Sequence, residues 1–476
     1  HPFSMPPSRT SREDIVITGM ACRFAESPSL AAFWRNLLQR QSLLTPLPVP
    51  SPTEPAPPRR TLFDRPYPTL CGQLGDLYAC TPADQYFPRK MNAGENQDVF
   101  FTVQLAIDAL RDSGSTLNSL PTDRVSLHLG YAPPFNAASV NWLQHTFFID
   151  QTLGIVQNFF PGVGAEQIEE VRKQLTASLP EPNPYAFLSA LGCVIASWTA
   201  HYLGFAGPAF LVDAGAVSGH QTLQGAMDDL ITRRSDIALA GAVQPPFSDA
   251  ALQGFAGAIP FSRGKTLQPF SREADGTLPG EGGAMFVLKR LKDALRQNDR
   301  IYAIIRSIGI AAAAMDQHHR VPTPERLTRA ISRALHAADI TPESVQLIEA
   351  HGSAIPHSDQ TELKVLHDLY GDRRRGQALT GVGSVKGNIG HTLWSAGAAG
   401  ILKAALAIAH RTLVPTVSVD KPHLSLASAK SPLYLLSDAR PWLRGNRKNP
   451  RRACVSAIDF TGTCAAAILE EYPEDP

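Results

Sequence analysis

The stretch Phe210-Leu-Val-Asp-Ala-Gly-Ala-Val-Ser-Gly-His220, continuing as QTLQGAMDDLITRRSDIALA to Ala240, holds the pattern that decides the fold. The apolar run Phe210–Val212 has the length of a buried strand, and the small residues from Asp213 to Val217 let the chain bend. A helical pattern then runs from Ser218 to Thr232, and a second apolar run, Ile237–Ala240, follows it. Strand, turn, helix, strand is an α/β rhythm. Towards the N-terminus, Ile15–Thr18 and Val125–Leu129 read as strands on either side of a helical pattern, Gln97–Ser113. Towards the C-terminus, strand Met285–Leu288 closes the first series. The order then recurs: strand Tyr302–Ile310, helix Pro324–Ala338, strand Val345–Glu349, helices Asp359–Tyr370 and Ala396–Ala409, strand Cys454–Ile458. Two similar halves are therefore expected, 13–295 and 296–476. Between Tyr131 and Pro184 the rhythm loosens around Trp142, Phe147, Phe148, Phe159 and Phe160, so a mainly helical insert is expected over about 131–184. The Pro-rich run Leu44–Arg60 reads as a surface loop, because proline removes donors and sets φ. His1-Pro-Phe-Ser4 lacks the basic and apolar order of a signal peptide and reads as a tag remnant, with 1–12 a flexible N-terminus.

Composition narrows the function classes. In 476 residues, 44 Lys and Arg against 43 Asp and Glu leave a net charge of +1, which does not match the basic footprint of a nucleic-acid-binding protein. The most apolar stretch, Leu393–Ala409, carries Lys403 and small residues, so no membrane insertion is expected. Six cysteines without a CxxC pair indicate neither a zinc site nor a disulfide framework and suit a reducing, cytoplasmic setting. His318, His319 and His357 lack a third ligand at metal spacing and read as solvated loop residues; no metal is expected.

Three segments concentrate chemistry. The turn Asp213–Gly219 has the form of a nucleophile elbow without a nucleophile: Ala216 sits in the middle, and Ser218 is at the helix start, where serine is usually a cap. His351 follows strand Val345–Glu349 directly, and strand ends are where α/β folds place function. Gly381–His391 is glycine-rich around Lys386 but has neither GxxxxGK[ST] nor GxGxxG spacing, which argues against nucleotide binding. Cys193, in an apolar helical pattern, reads as a small core residue.

Four motifs occur in order: Ile17-Thr-Gly-Met-Ala-Cys-Arg-Phe24; Phe270-Ser-Arg-Glu-Ala-Asp-Gly276 with Gly280-Glu-Gly-Gly283; His351-Gly-Ser-Ala-Ile-Pro356 with Asp359; and Gly383-Ser-Val-Lys-Gly-Asn-Ile-Gly-His391. Together they resemble the β-ketoacyl synthase (ketosynthase) family in its polyketide synthase branch, over about Glu13 to Glu471. The resemblance implies a thiolase-type α/β fold, two duplicated halves layered αβαβα, and a homodimer. It also implies an acyltransferase that joins an acyl chain to a malonyl unit by decarboxylative Claisen condensation. No bound cofactor is implied, since the phosphopantetheine arm arrives on an acyl carrier protein. By this resemblance His351 and His391 are the catalytic histidines, Lys386 the family lysine, and Ser353, Ile355, Phe460 and Ser218 contact substrate.

The departures are as informative as the matches. The nucleophilic cysteine position falls on Ala216, and a methyl group accepts no acyl chain. Of the two threonines that contact the carrier arm, one becomes Ser353 and the other Ile355. The glycine-rich gate, usually GFGGTNAH, reads Asp459-Phe-Thr-Gly-Thr-Cys-Ala-Ala466, which keeps Phe460 and stiffens its hinge. Three readings of Ala216 stand: an engineered Cys-to-Ala change, a natural decarboxylating ketosynthase, or a non-catalytic carrier-binding or chain-length partner. Retention of both histidines weighs against the last.

Overall fold

The computed structural model describes residues 13–47, 67–79, 97–132, 137–179, 181, 191–312, 323–371, 379–444 and 449–473. Most of the Pro-rich run and the pair His318–His319 lie outside the described residues. The strands of the main sheet are β1 (Ile15–Phe24), β2 (Val125–Gly130), β3 (Ala209–Val212), β4 (Ile237–Gln244), β5 (Gly282–Arg290) and β6 (Ala303–Ala311). They continue as β7 (Leu347–Glu349), β8 (Thr380–Gly383), β9 (Leu433–Leu435), β10 (Arg452–Ile458) and β11 (Cys464–Glu470). All of them join one sheet in the order β9-β8-β7-β10-β11-β6-β1-β5-β4-β2-β3.

The pairing repeats. In the first half β2 runs parallel to β3 and β4, β4 antiparallel to β5, and β5 antiparallel to β1. In the second, β7 runs parallel to β8 and β10, β10 antiparallel to β11, and β11 antiparallel to β6. Among the described residues only the added edge strand β9 breaks the match. The first strands of the halves, β1 and β6, meet antiparallel through Ile15–Ile17 and make the sheet continuous.

Alternation along these strands builds the layers. In β4, Ala238, Ala240 and Ala242 face one cluster while Leu239 and Val243 face another; in β10, Ala453 and Val455 are separated in the same way from Cys454 and Ile458. Strands covered on both faces are apolar throughout, because neither face meets water. The outer layers are α1 (Gln97–Asp112) and α2 (Gly192–Leu203) on one side, and α4 (Pro324–Ala338) and α5 (Pro356–Tyr370) on the other. Between the half-sheets lie α3 (Ser218–Ile231) and α7 (Ala396–Ala409), packed on each other. They approach so closely that a Cβ on Gly219 would stand 2.5 Å from the Ala398 nitrogen. Every residue of α7 up to Ile408 is buried, Lys403 included, and its ammonium pairs with Glu349 at 2.7 Å. The apolar run around Lys403 is thus the central layer. Among the described residues no helix is long and apolar enough to cross a membrane.

One expectation changes. Cys193 is exposed rather than core, because the buried stripe of α2 runs through Ile195, Ala196, Thr199, Ala200 and Leu203 and leaves it outside. Gly381–Gly383, the start of the glycine-rich segment, belongs to strand β8, flanked by β7 and β9. The insert is helical over Ala137–Leu143, Ile149–Phe159 and Ala165–Ala177, with a small core of Ile149, Leu153 and Ile168.

Candidate active site

Two carboxylates on α5 shape the first loop. Glu362 accepts the N–H groups of His351 and Gly352, both at 2.8 Å, and the Ser456 hydroxyl, also at 2.8 Å. One turn earlier, Asp359 accepts the N–H groups of Phe270 at 2.8 Å, Ser353 at 2.9 Å and Ala354 at 3.1 Å. The clamp holds Gly352 and Ala354 at positive φ, +43° and +62°. Burial pushes the Asp359 carboxyl up to about 7 against the pull of those donors, and it raises Glu362 as well.

The second loop leaves β8 through a short helix, α6 (Lys386–Ile389), and turns at Gly390, φ +80°, where a Cβ would meet the Pro279 carbonyl oxygen at 2.3 Å. His391 follows. Its ring lies 5.2 Å from that of His351, inclined at 72°, and both are buried.

Each imidazole is oriented by a backbone donor. The Ile458 N–H donates to His351 Nδ1 at 3.3 Å, and the Leu393 N–H donates to His391 Nδ1 at 3.1 Å. An accepting Nδ1 leaves the proton on Nε2. Burial, and after it the Lys386 charge, holds both imidazoles well below the usual histidine range. Both are neutral near pH 7, and both line one cavity of about 240 Å³ with Ser353, Ile355, Asp459 and Phe460. Neither Nε2 has a hydrogen-bond partner among the described residues. A larger cleft of about 700 Å³ beside Trp34 and His410 contains none of these groups.

The remaining expected residues divide. Lys386 is buried outside the cavity wall and donates to the His351 carbonyl oxygen; burial pushes its ammonium down to about 8. It is a positioning residue. Ser218 is buried and not part of the cavity wall; its hydroxyl accepts the Ala214 N–H at 3.0 Å and closes the turn. Ala216 is buried and is not among the cavity-lining residues, and its N–H donates to Asp459 Oδ1 at 3.2 Å. Ser353 and Ile355 are on the wall, but the Ser353 hydroxyl already donates to Asp359 at 3.3 Å and accepts the Ile355 N–H at 3.3 Å. Phe460 stands half-exposed at the mouth. His357, expected in solvent, is exposed at the cavity rim. Sequence reasoning missed Asp459 as a wall residue and Glu362 as a clamp; for Glu362 the signal was its i, i+3 spacing from Asp359 on one helix face.

Comparisons with known proteins agree with this architecture. The family model of the β-ketoacyl synthase N-terminal domain matches residues 12–294, and that of the C-terminal domain matches residues 302–420. Polyketide synthase PksL of Bacillus subtilis is 28% identical over 475 residues, 98% of this chain and 10% of that one. Erythronolide synthase EryA3 of Saccharopolyspora erythraea is 29% identical over 473 residues, 97% of this chain and 13% of its own length. The chain thus spans only a small part of the length of these relatives. Among solved structures, the ketosynthase from module 6 of the bacillaene synthase of Bacillus subtilis 168 superposes with a TM-score of 0.78 at 25% identity, over 97% of this chain and 73% of that one.

Proposed function

The chain belongs to the β-ketoacyl synthase family, in its polyketide synthase branch, and from that premise we propose that it decarboxylates a malonyl thioester without accepting an acyl chain. The observation that carries this reading is the pair of neutral imidazoles sharing one cavity with no nucleophile at position 216. The malonyl unit arrives on the phosphopantetheine arm of an acyl carrier protein. Its C–C bond to the carboxylate breaks, carbon dioxide leaves, and the electron pair becomes an enolate whose charge rests on the thioester oxygen. The two Nε2–H groups donate to that oxygen, which preorganised donors stabilise more strongly in a dry site than water does. Protonation of the enolate carbon from water then yields the acetyl thioester. The Lys386 ammonium, one residue layer behind, adds favourable potential.

Asp459 stands where the family motif has glycine, so Ala216 has a companion change in the second turn, whose carboxylate accepts its N–H. That pairing favours a natural loss of acyl transfer over a single engineered substitution. A homodimer and a cytoplasmic setting belong to the same proposal. Edge strand β3 presents Phe210 half-exposed and has no strand on its outer side among the described residues, the form of edge that a second copy covers.

The test is carbon dioxide release from malonyl carrier protein. We expect slow turnover by the chain as written and a loss of about 10²-fold in His351→Ala and in His391→Ala, the scale of one oxyanion donor. Equal background release by all three, with carrier still bound, replaces this reading with a non-catalytic carrier-binding role.

A further inference from the structure

The Asp459 carboxylate joins the elbow to the turn that carries Phe460. Its Oδ1 accepts the Ala216 N–H at 3.2 Å; its Oδ2 accepts the Thr461 N–H at 2.9 Å and the Thr461 hydroxyl at 2.6 Å. The residue is 4% exposed and forms part of the cavity wall. It presses on the elbow so closely that a Cβ on Gly215, itself at φ +54°, would stand 1.7 Å from Oδ1. Backbone and carboxylate are therefore built for each other.

We propose that Asp459 bars acyl transfer at position 216 independently of the missing thiol, so that the site carries two locks rather than one. The inference rests on the reading that this cavity handles carrier thioesters. Acyl transfer to a thiol at 216 requires the thiol to lose its proton, a new sulfur–carbon bond to form, and the carrier's carbon–sulfur bond to break, its thiol leaving with the proton. Negative charge appears twice along that path. It appears first on the attacking sulfur, and a neighbouring carboxylate raises a thiol's pKa. It then appears on the thioester oxygen, for which a backbone N–H at the nucleophile turn is the natural donor. Asp459 has taken the Ala216 N–H and set a negative charge beside it. Restoring the cysteine alone leaves this obstacle in place.

The experiment compares Ala216→Cys with the double variants Ala216→Cys/Asp459→Ala and Ala216→Cys/Asp459→Asn. Each is exposed to a hexanoyl thioester of N-acetylcysteamine and followed by intact-mass spectrometry, with melting curves to show which variants are folded. Peptide mapping separates the introduced thiol from the exposed Cys193. Asp459→Ala frees the N–H and removes the charge, and we expect acylation to rise about 10²-fold over Ala216→Cys. Asp459→Asn keeps one amide oxygen to accept both Thr461 donors, which guards against loss of the turn, and puts an NH2 group that cannot accept the Ala216 N–H in place of the charged oxygen; we expect a gain of at least about tenfold. Acylation of Ala216→Cys as fast as that of the folded double variants overturns the proposal, as does failure of both double variants to exceed it. Carbon dioxide release by the unaltered chain tests the decarboxylation reading separately. A hexanoyl donor has no malonyl group, so either result leaves the other standing.

Discussion

At the residue scale the site depends on which atom of each histidine holds the proton. The Ile458 and Leu393 amides settle this by donating to Nδ1, and burial keeps both rings neutral, so neither imidazole titrates in the working range. Lys386 does titrate there. Burial brings its ammonium down to about 8, and the charge it lends to the cavity is present below that pH and lost above it. Decarboxylation is therefore expected to fall as pH rises through 8, with no inflection from either imidazole; a change near 7 belongs to the Asp359 carboxyl that clamps the His351 loop. A carbon dioxide release profile checks this, and Lys386→Met should lower the plateau and remove the fall. A profile that rises through the ordinary histidine value and keeps that rise in Asp359→Asn would mean that an imidazole must lose a proton first. The two histidines and Lys386 were legible as motif positions. That Lys386 acts through the His351 carbonyl was not, because the motif fixes spacing along the chain and says nothing of where an ammonium points.

At the scale of elements, α7 shows how an apolar run with one lysine becomes a central layer. Its small residues admit α3 at close range, and its one charge is neutralised by Glu349 at the end of β7. The Glu349 carboxylate also accepts the Val385 N–H, which ties the ion pair to the loop that delivers Lys386 and His391. Removing one partner of a buried pair leaves the other uncompensated. Lys403→Ala is expected to destabilise the fold by about 3–5 kcal/mol, whereas Lys403→Met with Glu349→Gln should recover part of the loss. Denaturant unfolding measures both, and a cost below about 1 kcal/mol for Lys403→Ala would show that the pair is not a strut of the central layer. Helices Pro324–Ala338 and Ala396–Ala409 match their expected bounds, since proline at N1 or a complete apolar pattern marks them. Strands β8 and β11 escaped notice: one is half glycine, and the other, largely alanine, carries no alternation because both its faces are buried.

At the scale of the molecule, the pairing pattern repeats across the junction of β1 and β6, and the cavity lies where the loops after β7, β8 and β10 of the second half meet Ala258–Pro260 of the first. Position 216 comes from the first half and both histidines from the second. The open edge at β3 is where assembly is expected: Phe210→Asp should convert a dimer to monomers, read by light scattering on a sizing column, while a monomeric unaltered chain would remove the dimer proposal. The sequence by itself determined the α/β class, the doubled series of elements and the identity of the histidine motifs, because strand and helix periods and short motifs are local properties of the chain. It also showed the absence of a nucleophile, since that is a matter of one residue type. Only the tertiary structure decided that Ser218 serves the turn, that Lys386 stands behind the wall, and that Asp459 holds the Ala216 N–H. Those are relations between groups up to 243 positions apart, and no local pattern encodes a hydrogen bond that exists only once two layers have closed on each other.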